Sequence, residues 1–72
     1  MIRIELDVML ARRKVKSTDL ALAIGITPQN LSILKTGKAK AIRLTTLNKI
    51  CEYLNCEVGE ILVHENEKVS ID

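Results

Sequence analysis

The sequence predicts a small all-α domain of five short helices, and three observations lead to this. Apolar residues recur at helical spacing near both ends and in the middle of the chain. Single glycines stand where these patterns stop, as expected at helix C-termini. Hydrophobic residues make up 47% of the 72 residues but aromatic residues only 1%, so the core must be aliphatic. A chain of this length has room for one domain, residues 1–72.

The N-terminal residues predict a short strand followed by the first helix. The first five residues alternate apolar and charged side chains, which suggests the strand. The helix is predicted over residues 6–13, because Leu6, Met9 and Leu10 share one helical face. The basic cluster at residues 12–14 falls in its last turn, where cations favour the helix dipole. Helix termination and phosphate contact explain this cluster equally well.

Residues 17–37 predict two helices joined by a three-residue turn. Ser17 is expected to be the N-cap of the first helix, since its hydroxyl can accept a backbone hydrogen bond. The helix ends at Gly25, which tolerates a positive φ. Ala21 stands where the two helices cross, and its small side chain lets them approach closely.

The second helix of this pair is predicted over residues 28–36. Thr27 can cap it, and Pro28 suits its first position because the missing N–H costs nothing there. Leu31 and Leu34 form its inner edge. The side chains left to project outward are Pro28, Gln29, Asn30, Ser32 and Ile33.

The pattern LAxxxGIT, followed by Leu31-Ser32 and the closing Gly37-Lys38, resembles the Cro/C1-type helix-turn-helix of phage repressors and many small bacterial regulators. The resemblance extends over residues 6–62. It implies a compact, five-helix, lambda-repressor-like DNA-binding domain. It also implies that the second helix of the motif is a recognition helix and that the loop after it lies along the phosphate backbone.

Contacts to bases are expected from the outward face of this helix. Gln29 lies near the helix N-terminus and is suited to a bidentate contact with adenine N6 and N7. Asn30 either makes the same contact or caps the helix locally. Ile33 either packs on a thymine methyl group or is a peripheral core residue. Pro28 contributes shape, because it has no N–H to donate, and Ser32 completes this face.

Charge is segregated along the chain, although the net charge is only +2. Residues 12–43 contain eight basic residues and one acidic residue, whereas residues 44–72 contain two basic and six acidic residues. This distribution favours a phosphate-facing surface, while two ordinary solvated faces are the alternative. Lys35 stands where the family often has a glutamate, which adds positive charge. The expected phosphate contacts are Ser17, Thr27, Lys35, Thr36, Lys38, Lys40 and Arg43.

The acidic half predicts two further helices. A fourth helix over residues 44–54 turns Leu47, Ile50, Cys51 and Leu54 inward at i, i+3, i+4 and i+7. Asn55 can adopt the left-handed conformation that ends it. A short fifth helix over residues 57–62 is expected to turn Val58, Ile61 and Leu62 inward. The tail, residues 63–72, either forms a strand beside the N-terminal strand or frays.

No catalytic, metal or cofactor site is expected. Cys51 and Cys56 are five residues apart, so on one helix they would point about 140° away from each other and could neither pair nor share a metal. The single histidine, His64, has no cysteine at a metal-binding spacing. Glycine-rich phosphate loops and nucleophile motifs are absent from the sequence. We therefore expect a protein that is not an enzyme and has no small-molecule ligand.

The sequence indicates a sequence-specific regulator that binds double-stranded DNA. A single module of this kind buries only about 600–1,000 Å², so we expect a homodimer. An alternative is a protein-interaction or antitoxin-like module built on the same fold. No apolar run approaches the roughly 20 residues that a bilayer span needs, and the N-terminus does not resemble a signal peptide. We therefore expect a cytoplasmic protein with no membrane partner.

Overall fold

Five helices and two short strands make up residues 1–66, the part of the chain that the structure, a computed structural model, describes. The elements in order are β1 (Ile2–Ile4), α1 (Leu6–Arg13), α2 (Ser17–Ile24), α3 (Pro28–Lys35), α4 (Leu44–Leu54), α5 (Val58–Ile61) and β2 (Leu62–His64). This confirms the predicted fold class, with its five helices and short terminal strands.

One aliphatic core receives side chains from all five helices. Its buried members are Leu6, Met9, Leu10, Leu20, Ala21, Ile24, Leu31, Leu34, Leu47, Ile50, Leu54 and Ile61. No polar or charged residue within residues 1–66 belongs to the buried class. The core faces predicted for the first, third and fourth helices are confirmed except at Cys51, which is half-buried and packs at the edge of the core.

The turn between α2 and α3 depends on a left-handed residue. Gly25 has φ +78°, a backbone conformation that is strained for a residue with a side chain. The amide N–H groups of Gly25 and Ile26 both donate to the Ala21 carbonyl oxygen, each at 3.0 Å. The half-buried Ile26 side chain packs against the core. These contacts fix the direction in which α3 leaves the turn.

The start of α3 is confirmed as predicted. Pro28 occupies the first turn, and the Thr27 hydroxyl oxygen accepts a hydrogen bond from the Asn30 amide N–H at 3.1 Å. At the other end, Gly37 has φ +78°. The side-chain cap and the proline together fix the residue at which α3 begins.

Thr27→Ala is expected to lower the free energy of unfolding by about 0.5–2 kcal/mol, because the Asn30 amide loses its cap. Urea denaturation followed by far-UV circular dichroism measures this change. Thr27→Ser is the matched control, since it keeps the hydroxyl oxygen and should stay close to the unmodified protein. Equal losses in the two variants would contradict a capping role.

The prediction that Ser17 caps α2 is wrong. Ser17 is the first residue of the helix, and the N-cap is Lys16, whose backbone is extended (φ −76°, ψ 141°). The Lys16 carbonyl oxygen accepts from the Leu20 amide N–H at 3.1 Å, and no side chain caps the helix. Because the first helical hydrogen bond already reaches the Lys16 carbonyl oxygen, Ser17 lies inside the helix and not at the capping position.

The prediction that Val58 faces inward is also wrong. Val58 is 48% exposed, whereas Ile61 is fully buried and Leu62 is half-buried in β2. The Glu57 amide N–H donates to Glu60 Oε1 at 2.9 Å, which fixes the first turn of α5. Because α5 spans only four residues, this register brings Ile61 into the core and leaves Val58 outside.

Strands β1 and β2 pair in antiparallel fashion and join the two ends of the described chain. The register places Ile2 opposite His64, Arg3 opposite Val63 and Ile4 opposite Leu62. This confirms a strand beside the N-terminal strand for the first residues of the predicted tail. The rest of that prediction, residues 67–72, lies outside the described residues.

The end of α4 corrects the expectation for the two cysteines. The helix stops at Leu54, and Asn55 takes the predicted left-handed conformation (φ 52°). The Cys56 amide N–H then donates to the Cys51 carbonyl oxygen at 3.0 Å. The expectation that the cysteines point apart is wrong, because it assumed a helix that continues through both.

Arg13 holds the same turn from α1. Its Nε donates to the Leu54 carbonyl oxygen at 2.7 Å, and its Nη2 donates to the Asn55 carbonyl oxygen at 3.1 Å. These are carbonyls that the helix end leaves without an intrahelical partner. Arg13 therefore has a structural role at the end of α4, which neither explanation of the basic cluster included.

Candidate nucleic-acid interface

The outward face of α3 is the candidate surface for contacts to bases. Burial of Leu31 and Leu34 fixes the rotation of the helix about its axis. The five residues predicted to contact bases are all exposed: Pro28, Gln29, Asn30, Ser32 and Ile33. Ile33 is 45% exposed, so the structure places it on the surface and not in the peripheral core.

The side-chain amides of Gln29 and Asn30 are available for hydrogen bonds. Within residues 1–66, neither amide group takes part in a hydrogen bond, and Asn30 uses only its backbone N–H, which donates to Thr27. The structure therefore does not show the local cap considered for the Asn30 side chain. Each amide offers a donor and an acceptor side by side, the pattern that matches adenine N6 and N7.

The two threonines that flank α3 differ in what they can donate. The Thr27 hydroxyl oxygen accepts from Asn30, which leaves its own proton for a phosphate oxygen. The Thr36 hydroxyl instead donates to the Ser32 carbonyl oxygen at 2.8 Å. A phosphate can only accept, so Thr36 must give up this bond to donate to it. Ser17, the remaining hydroxyl candidate, is half-buried in the first turn of α2.

Four cations lie along the chain from the end of α3 to the start of α4. Lys38 and Lys40 are exposed on the loop, Arg43 is exposed at the N-cap of α4, and Lys35 is half-buried in the last turn of α3. The salt bridges within residues 1–66 all involve Arg3, so none of these four charges is neutralised there. The arrangement leaves a positive strip directly after α3.

A groove brings α3 and the start of α4 together. Its lining residues are Ile26, Asn30, Ile33, Leu34, Ala39, Ala41, Ile42, Arg43 and Thr46. Asn30 and Ile33, predicted to contact bases, thus share a groove with Arg43, predicted to contact phosphate. Thr46 also lines this groove and was not predicted from the sequence. The one sequence feature that marks it is its polar side chain in the first turn of α4.

Residues 1–66 contain neither a cluster of metal ligands nor a membrane-spanning helix. Across residues 1–66, no three His, Cys, Asp or Glu side chains come together in a way that could hold a metal ion. None of the helices described there has the length and apolar character needed to cross a bilayer. The features that remain are the outward face of α3 and the cations beside it.

Relatives and solved structures share this architecture. The chain is 55% identical over 65 residues to YozG of Bacillus subtilis (strain 168), named an uncharacterized HTH-type transcriptional regulator, with 90% of this chain and 77% of YozG covered. The transcriptional regulator VanUg has a TM-score of 0.67 at 33% identity, covering 85% of this chain and 83% of VanUg.

Two further structures match in fold alone, because their sequence identity is 24%. A protein from Bacteroides fragilis has a TM-score of 0.78, with 86% of this chain and 98% of that chain covered. The SOS-response transcriptional repressor LexA from Eubacterium rectale has a TM-score of 0.71, with 94% and 69% covered.

The family comparison covers most of the chain. The family model for the Cro/C1-type HTH DNA-binding domain matches residues 5–67, a span that includes all five helices and β2. With this match and the identity to YozG, the sequence and the fold agree: the chain belongs to the Cro/C1-type helix-turn-helix DNA-binding domain family.

Proposed function

We propose that the protein regulates transcription by binding a specific double-stranded DNA sequence as a homodimer, with residues 28–36 in the major groove. The observation that carries this proposal is the exposed face of α3. It carries two side-chain amides, and it lies beside four cations; within residues 1–66, these amides form no hydrogen bond and these cations form no salt bridge. YozG and VanUg are both named transcriptional regulators, which supports the same function.

In this proposal the outward side chains of α3 read the bases. Gln29 makes a bidentate contact to an adenine, and Asn30 makes a second contact of the same kind. Ile33 packs on a thymine methyl group. Pro28 and Ser32 lie against the base edges between these contacts, and Pro28 sets the approach of the helix through its shape.

Phosphate contacts hold α3 in register on the duplex. Lys35, Lys38, Lys40 and Arg43 supply the charge, which contributes affinity that does not depend on sequence. Thr27 donates its remaining hydroxyl proton to a phosphate. Ser17 and Thr36 are weaker candidates, because Ser17 is half-buried and the Thr36 proton is already donated to Ser32.

The homodimer is proposed because one module buries too little surface for tight specific binding, about 600–1,000 Å². Residues 44–72 carry six of the nine acidic residues, so this half is repelled by DNA and remains available for contact with a second copy. A two-fold dimer would read two half-sites about 34–36 Å apart.

Selection of bound duplexes from a random pool tests the proposal. The expected result is one enriched palindromic sequence, with affinity that falls steeply as salt increases. An enriched site without a palindrome would contradict the homodimer. Absence of DNA binding at any salt concentration would contradict DNA recognition and favour a protein-interaction module instead.

Lys38→Ala is expected to weaken binding to all DNA sequences alike and to lower the slope of log K against log salt by about one per protomer, or about two for the homodimer, because each protomer loses one phosphate contact. Fluorescence anisotropy titrations at several salt concentrations measure the slope. Lys49→Ala is the matched control, since Lys49 is exposed on α4 beside the groove between α2 and α4. An equal change of slope in both variants would contradict a specific role for Lys38.

A further inference from the structure

The turn after α4 brings two thiols together. The left-handed conformation of Asn55 reverses the chain, and the Cys56 amide N–H donates to the Cys51 carbonyl oxygen at 3.0 Å. Both cysteines are unpaired and half-buried, so small reagents can reach them. The arrangement differs from two cysteines on one continuous helix, which would lie on different faces.

The surroundings of these thiols show that they influence each other. Burial raises the pKa of the Cys56 thiol, and the adjacent Cys51 and then Glu60 raise it further, against a lowering effect of Arg13. A thiol with a raised pKa is mostly protonated at neutral pH, where the thiolate is the nucleophile. The Cys56 thiol is therefore a weak nucleophile at neutral pH.

The backbone around the pair is also held in place. Arg13 donates to the carbonyl oxygens of Leu54 and Asn55, two of the four residues between the cysteines. The side chains of Cys51 and Cys56 both pack against the core. Arg13 on one side and the core on the other therefore hold the turn so that the two cysteine side chains lie next to each other.

We propose that Cys51 and Cys56 form a dithiol site that a low-molecular-weight disulfide converts into an intramolecular disulfide. The thiolate of one cysteine attacks the reagent, breaks its S–S bond and releases one thiolate, leaving a mixed disulfide. The thiolate of the second cysteine attacks the protein sulfur of that mixed disulfide and releases the other half of the reagent. The protein loses two electrons and two protons, and the reagent becomes two thiols.

The disulfide would close a ring around the turn that ends α4. Cross-linking restricts the unfolded chain, so the oxidised protein should have a higher Tm than the reduced protein. The ring is short, which limits this gain. The site does not depend on the proposed DNA contacts, because none of the residues that form it belongs to α3 or to the loop that follows α3.

Oxidised glutathione is the probe for this site, applied to the folded full-length chain. Trypsin cleavage after Lys49 and Lys68 leaves both cysteines in one peptide, residues 50–68. The expected product is this peptide lighter by two hydrogen atoms, with no glutathione attached and no thiol open to alkylation. Thermal unfolding of the oxidised protein should show a higher Tm, reversed by a reductant.

Two controls make the test specific to the folded geometry. Cys51→Ser and Cys56→Ser should each retain one glutathione, since no second thiol can displace it. In guanidinium chloride the mixed disulfide with glutathione should persist longer before the ring closes, because the turn no longer holds the thiols together. Persistent glutathione on the unmodified sequence, a disulfide-linked dimer, a lower Tm on oxidation, or faster closure in the unfolded chain would overturn the proposal.

Discussion

Leu20→Ala is expected to lower the free energy of unfolding by about 2–5 kcal/mol, because it leaves a cavity that the surrounding helices fill only in part. Leu20 is fully buried on α2, where it belongs to the core that also holds α1, α3 and α4. A core of this size provides only about 3–5 kcal/mol in total. The variant should therefore keep at most about 3 kcal/mol, so its urea transition should move to a much lower concentration or be lost.

Urea denaturation measures this loss, and Leu22→Ala is the matched control. Leu22 lies two residues further along α2 and is 84% exposed, so its truncation removes almost no buried surface. We expect its stability to stay within about 0.5 kcal/mol of the unmodified protein. Similar losses at the two positions would contradict the orientation of α2 described above.

Gln29→Ala is expected to relax the preference for one base pair in each half-site, at a cost of about 1–3 kcal/mol per half-site on the preferred sequence. The Gln29 side chain is exposed on the first turn of α3, and its amide group is not engaged within residues 1–66. Removing a bidentate contact takes away discrimination at that position, while binding to other sequences should change little.

Gel-shift titrations against the selected site and its single-base variants measure this effect. Lys40→Ala provides the comparison, because loss of a phosphate contact should weaken binding to all of these duplexes by a similar factor. The two variants are thus expected to separate sequence reading from affinity. An unchanged order of preference in Gln29→Ala would rule out the proposed contact.

The helices could be predicted where apolar spacing and helix-ending residues agree. The predicted bounds of α1 and α4 match the structure, because each helix has a clear apolar face and α4 is followed by Asn55, which takes the predicted left-handed conformation. The turn at Gly25 could be predicted for the same reason. The exposure of the other α3 side chains could also be predicted from the sequence, since burial of Leu31 and Leu34 decides the rotation of the helix about its axis.

The remaining differences arise where tertiary packing overrides a local preference. Ser17 is a good cap by residue type, but the first helical hydrogen bond reaches the carbonyl oxygen of Lys16, so α2 begins one residue earlier than predicted. Helical periodicity could not place Cys56 beside Cys51, because it assumes that the helix continues past Leu54. The groove shared by Asn30 and Arg43 depends on how α4 packs beside α3, which spacing along the chain does not contain.

The antiparallel pairing of β1 with β2 has a kinetic consequence. Residues 2–4 meet residues 62–64, so this pairing must close a loop that contains every helix, whereas α2 and α3 meet through a three-residue turn. Loop closure costs more entropy as the loop lengthens. The α2–α3 helix-turn-helix is therefore expected to assemble early during folding. The β1–β2 sheet is expected to form late and to open first in native-state hydrogen exchange.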